Sequence, residues 1–196
     1  LARIQPGLAP EVRHVDPERG VAAQGFIPSA PTAKAFTRQH LQWLESLPKP
    51  PGSSTLQAQA LALRQRLALF EERHGGYKNL VERMLDCLSD NCPLPLLWVH
   101  GDFACWNTRR LPNGRLLLID WEEARSDGLP LQDICHFFFI TASDPQKVLP
   151  GMLAHPVVRE YLHAFGLSGE QARQLFIFYL LHFYARQQEF GAGVRR

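Results

Sequence analysis

Along residues 10–15, PEVRHV, apolar and polar positions alternate, and the turn composition DPERG then stops the run. VAAQGFI follows and is closed by Pro28. The two runs predict a β-hairpin, and a lone two-stranded hairpin is marginal in water. From Thr32 to Leu47 the period becomes helical, with Phe36, Leu41, Leu44 and Leu47 on one side. PKPPGSS, residues 48–54, reads as a linker. Ser54 with Gln57 predicts a capping box at the head of a long helix. Its stripe includes Leu61, Leu67 and Phe70, and Gly75 and Gly76 stop it. A further helix is expected around Leu80, Met84, Leu85 and Leu88. LLWV, NTRRL and RLLLID then read as strands between residues 96 and 121. After Pro130 the pattern is helical to the end, and Ser168 with Gln171 repeats the capping box before the apolar run at Leu175. There is no internal repeat. The expectation is an α+β, mostly helical body with a small strand insert.

That insert carries the chemistry. In VHGDFACWNTRRLPNGRLLLIDWEE, residues 99–123, one acid precedes a hairpin signal, and an amide and a second acid flank it. Asn113-Gly114 favours a two-residue type I′ turn. Counting outward from that turn sets Pro112 against Arg115 and Asn107 directly against Asp120, while Pro112 beside the turn leaves a longer loop, and hence another register, open. Opposed residues share a face, with Cβ atoms about 5 Å apart, whereas a slip of one residue would put them on opposite faces. An amide oxygen beside a carboxylate is a hard donor pair that suits Mg²⁺. Asp102, in the loop opened by Gly101, could accept a hydroxyl proton while the cation neutralises phosphate charge. Without a cation the two neighbouring carboxylates would repel. Taken singly, each residue has a plainer explanation as a cap or turn residue. Together, His-Gly-Asp, four residues, Asn, a hairpin and Ile-Asp-Trp-Glu form a specific constellation.

Composition narrows the partners. The chain has 196 residues, 45% apolar and 20% charged, as a soluble globular protein does. A net charge of +2 implies no broad attraction to nucleic acid or to a membrane surface. Four cysteines, Cys87, Cys92, Cys105 and Cys135, match no zinc spacing and read as buried reduced thiols in a cytoplasmic protein. LFIFYLL is far shorter than the ~20 residues that span a bilayer. Lysines are only four: Lys34, Lys49, Lys78 and Lys147.

HGDFACWN followed by LIDWEEARSDGLPLQD resembles the aminoglycoside phosphotransferase and choline kinase-like family. The motif-level likeness runs from His100 to Asp133. It implies a protein-kinase-like fold, with residues 1–31 as the last strands and hinge of an N-lobe and residues 32–196 as a helical C-lobe. It implies Asp102 as catalytic base, His100 as organiser of the loop, Asn107 and Asp120 as magnesium ligands, and Asp133 as support of the site together with Trp121. The hinge backbone around Gln24, Gly25, Phe26 and Ile27 would hold the adenine of ATP. The chain departs from the family in lacking a strand lysine ahead of the hinge, and the expectation is that upstream sequence supplies it.

The implied activity is Mg-ATP-dependent phosphoryl transfer to a hydroxyl of a small molecule, such as a sugar, amino alcohol or aminoglycoside. A non-catalytic kinase-like binding module is the alternative. A metal-dependent phosphoesterase is disfavoured by the lack of further ligands. From Trp121 onward eight acids face seven Lys or Arg, so this half shows no strongly acidic ground for a polycation. Trp106, Trp121 and the HFFF run from His136 could cage a quaternary amine, though helical spacing fits core as well. Oligomeric state is not legible in the sequence.

Overall fold

A computed structural model describes residues 11–16, 21–25, 28, 30–31, 35–70 and 75–191. Within them the chain is α+β and mostly helical. The N-terminal hairpin forms as the alternation predicts: β1 (Val12–Asp16) pairs antiparallel with β2 (Val21–Gln24), with an irregularity between Val12 and His14. β3 (Ala30–Pro31) does not join that hairpin. It pairs with β7 (Thr108–Arg110), which pairs in turn with β8 (Leu116–Leu118). Pro31 is tolerated because β3 is an edge strand.

The first helix, α1 (Arg38–Glu45), buries His40, Leu41 and Trp43. The segment read as a linker is ordered against the body: β4 (Ser53–Ser54) pairs with β5 (Leu94–Pro95). That pairing moves the N-cap on by one residue, and the expected capping box does not form. Thr55, not Ser54, accepts the Ala58 amide at 3.1 Å and opens α2 (Leu56–Ala68). Then follow α3 (Lys78–Asp86), β6 (Leu97–Val99) and β9 (Arg125–Gly128), the last two paired antiparallel. The second half is α4 (Gln132–Ile140), α5 (Val148–Ala154), α6 (Pro156–Ala164) and α7 (Gly169–Gly191). Of the cysteines, Cys105 and Cys135 are buried, whereas Cys87, at the C-terminal cap of α3, and Cys92, in the loop beyond it, are exposed.

α7 organises the body. Its capping box closes as the spacing predicts, with Ser168 Oγ accepting the Gln171 amide at 3.1 Å and Gln171 Oε1 accepting the Ser168 amide at 3.0 Å. Two apolar stripes run along it, so it packs against α2 and α3 and also against α4 and α5. Arg66 of α2 binds Glu189 near its end at 2.8 Å. No described helix is long and apolar enough to cross a membrane.

One buried group in α1 makes the fold sensitive to acid. His40 is 1% exposed, packs among Phe36, Phe103 and Phe137, and accepts the Thr37 amide at Nδ1. Burial, helped by the charge of Arg110, lowers its pKa from 6.5 to about 4. The unfolded chain therefore takes up this proton at higher pH than the folded one. Stability is fully present above pH 6.5 and is lost as pH falls toward about 4, by roughly 3 kcal/mol from this group. Urea unfolding at stepped pH should show that loss, and His40→Phe should flatten it relative to the parent protein.

Candidate active site

The hairpin β7–β8 turns differently from the two-residue reading. Leu111 N donates to Arg115 O at 2.9 Å and Gly114 N donates to Leu111 O at 2.9 Å, so the loop is Pro112-Asn113-Gly114. Gly114 has φ +80°, the left-handed position that closes a three-residue hairpin. The cause is Pro112. A two-residue turn would require an N–H from Pro112 to the Arg115 carbonyl, and proline has none. The register shifts by one: Thr108 faces Leu118, and Ile119 N donates to Asn107 O at 3.0 Å. Asn107 therefore stands opposite Ile119, not Asp120. The regular ladder stops at Leu118, and Asp120 leaves strand geometry with φ +65°. Strand pairing thus does not join Asn107 to Asp120.

What meets Asn107 is Asp102. Asn107 Nδ2 donates to Asp102 Oδ2 at 2.8 Å and to the Asp102 carbonyl at 3.0 Å. The other carboxylate oxygen, Oδ1, takes His136 Nε2 at 2.9 Å. That hydrogen bond, with the Asn107 amide, holds the Asp102 carboxyl below the usual range, against the opposing effect of burial. The side chain remains 32% exposed, so a carboxylate fixed on its inner side still faces solvent.

Asp133, in the first turn of α4, accepts His100 N at 2.8 Å on one oxygen and Gly101 N at 3.0 Å on the other. Gly101 has φ +80°, and a Cβ there would lie 2.5 Å from the Glu123 carbonyl, so only glycine fits between the two segments. Arg186 of α7 closes the loop from behind, donating to Gly101 O at 2.8 Å and pairing with Glu123 at 3.2 Å.

His100 is fully buried. Its Nε2 donates to Ile119 O at 3.0 Å and its Nδ1 accepts the Asp102 amide at 3.3 Å. Burial lowers its pKa despite nearby Asp133, Asp102 and Asp120, so the ring is a neutral spacer. Trp121 packs against it at a tilt, with centroids 4.7 Å apart, and donates Nε1 to Leu118 O at 3.0 Å.

Asp120 has no hydrogen-bond or ion-pair partner among the described residues, although it lies close enough to His100 to act on its charge. A left-handed non-glycine residue costs about 1–3 kcal/mol and persists where the surroundings impose it, commonly at functional sites. With the Asn107 nitrogen committed to Asp102, the amide oxygen is left as a hard donor. No cluster of three or more His, Cys, Asp or Glu is spaced to hold a metal among the described residues. An Asn–Asp pair suits a cation that draws its remaining ligands from phosphate and water.

Of the four hinge residues, Phe26 and Ile27 lie outside the described residues. Gln24 closes the β1–β2 ladder opposite Val12, and Gly25 N is committed to Glu11 O at 2.8 Å. A cleft of about 420 Å³, lined by Trp98, Leu131, Tyr161 and Phe165, includes Asp133 but not Asp102.

A family model described as "Phosphotransferase enzyme family" matches residues 11–176. Among solved structures, the choline kinase LicA from Streptococcus pneumoniae superposes with a TM-score of 0.56 at 17% identity. That alignment covers 97% of this chain and 69% of the other. A glucosamine kinase aligns with a TM-score of 0.38 at 20% identity, over 80% of this chain and 45% of the other. Comparison with curated protein sequences gives no match.

The double anchor at Asp133 sets an expectation for stability. Asp133→Ala leaves two N–H groups, His100 and Gly101, without their acceptor in a buried turn. At about 1–3 kcal/mol for each group the fold should lose roughly 2–6 kcal/mol. Asp133→Asn, which keeps one carbonyl oxygen, should fall between. Chemical denaturation midpoints of the three proteins check the order.

Proposed function

The chain belongs to the phosphotransferase enzyme family, and from that footing we propose that it transfers the γ-phosphoryl group of Mg-ATP to a hydroxyl of a small molecule. A sugar, amino alcohol or aminoglycoside is the expected class of acceptor. The observation that carries this reading is the Asp102 carboxylate, held ionised from within by His136 and Asn107 and open to solvent on its outer side.

Asp102 accepts the proton of the acceptor hydroxyl as the new O–P bond forms. The bond from the γ-phosphorus to the bridging oxygen breaks, and ADP leaves with those electrons. Phosphoryl transfer asks mainly for alignment and charge stabilisation, and the loop supplies alignment through Asp133 and Arg186. Asn107 and Asp120 would hold the magnesium, which neutralises phosphate charge when bound. The backbone from Gln24 to Ile27 would hold the adenine.

ADP release from Mg-ATP, measured on the full-length protein against choline, ethanolamine, glucosamine and kanamycin, is the direct test. Asp102→Asn should reduce turnover on the order of 10²-fold or more while nucleotide affinity survives. Asp120→Asn should weaken both Mg-ATP binding and turnover. Parent-like turnover in Asp102→Asn would remove the base from its role. Tight Mg-ATP binding with no turnover on any acceptor would favour a binding module.

A further inference from the structure

Asp102 depends on a group that lies outside the motif from His100 to Asp133. His136 lies three residues beyond Asp133 on α4, hence on the same helix face. Asp133 fixes the loop backbone and His136 reaches the loop's side chain. His136 is 4% exposed, far less than the carboxylate it binds, so the contact is not a surface ion pair.

The direction of the bond follows from the partners. An ionised carboxylate only accepts, so Nε2 of His136 donates. On the far side Tyr179 of α7 lies 3.2 Å from Nδ1. Burial raises the Tyr179 pKa, so the phenol keeps its proton and donates it to Nδ1. One hydroxyl thereby fixes the tautomer that puts the N–H on Asp102. Phe183 and Tyr179 pack on the ring, with centroids 6.0 Å and 5.9 Å away, and keep it from turning. Glu123, Arg125, Asp133, His182 and Arg186 line the same small polar cavity of about 30 Å³ behind the loop.

We propose that His136 is a positioning residue for phosphoryl transfer, holding the Asp102 carboxylate in one rotamer through a tautomer that Tyr179 imposes. This rests on the reading of Asp102 as the base. Asn107 occupies one oxygen and His136 the other, and the carboxylate keeps an exposed side at which an acceptor hydroxyl would arrive. A carboxylate held by Asn107 alone would sample other rotamers and spend less time aligned.

The test separates positioning from packing. ADP release from Mg-ATP is measured with choline, glucosamine and water as acceptors in the parent, His136→Leu, His136→Gln, Tyr179→Phe and Asp102→Asn. Loss of a charge-assisted hydrogen bond should lower kcat on the order of 10-fold to 100-fold in His136→Leu, with KM for ATP within about twofold. His136→Gln, whose amide N–H can take the place of Nε2, should recover most of it. Tyr179→Phe should lower kcat by about threefold or more without moving KM. Equal losses in His136→Leu and His136→Gln, or a loss carried by KM, would show packing instead and overturn the proposal. So would parent-like kcat in both His136→Leu and Tyr179→Phe while Asp102→Asn is inactive. Parent-like turnover in Asp102→Asn would instead take down the base reading itself. If His136→Leu fails to fold, the isosteric Tyr179→Phe decides. Independently of turnover, long-range ¹H–¹⁵N spectra of histidine-labelled protein should show His136 protonated at Nε2 and bare at Nδ1. The opposite tautomer would overturn the proposal.

Discussion

A single carboxylate, that of Asp133, ties the chemical part of the molecule to its scaffold. Where the chain leaves β6 it must turn sharply, and the amides of His100 and Gly101 are turned away from any strand partner. Both point at Asp133, and a buried acceptor for two adjacent amides fixes the turn as a side-chain cap fixes a helix end. Because Asp133 sits in the first turn of α4, and α4 packs against α7, the loop inherits the rigidity of that helix pair. His100, neutral and sealed under Trp121, then spaces the loop from the end of β8 without adding charge.

Two different kinds of restraint meet at the site. Hydrogen bonds from Asn107 and His136 fix the Asp102 side chain, whereas at Asp120 the backbone itself is held in a left-handed conformation. The first restraint is satisfied within the protein. The second leaves a carboxylate without a hydrogen-bond or ion-pair partner among the described residues, which is the electrostatic condition for taking a cation.

Much of this was legible in the sequence, for identifiable reasons. The α7 capping box and the strands at Leu97, Thr108 and Leu116 follow from local rules that tertiary packing did not override. The hairpin register was not legible from Asn113-Gly114 alone, because the missing N–H of Pro112 outweighs the preference of that dipeptide for a two-residue turn. β3, β4 and β9 were missed because Ala-Pro, Ser-Ser and Arg-Ser-Asp-Gly carry no apolar alternation; pairing alone makes them strands. His136 was read with the aromatic run after it, since a histidine at helical spacing looks like core. Its three-residue offset from Asp133 was the available signal, and it points at the loop only once Asp133 is known to bind there.

The bond between Arg186 and the Gly101 carbonyl spans 85 residues of sequence. During synthesis at ~5–20 residues per second, the loop residues precede their last tether by roughly 4 to 17 seconds. Asp133 follows Gly101 by 32 residues, so for the later part of that interval the nascent chain has His100, Gly101 and Asp133 but not the arginine that locks them. The loop can therefore turn before it is locked, and its final shape waits for nearly the whole of α7.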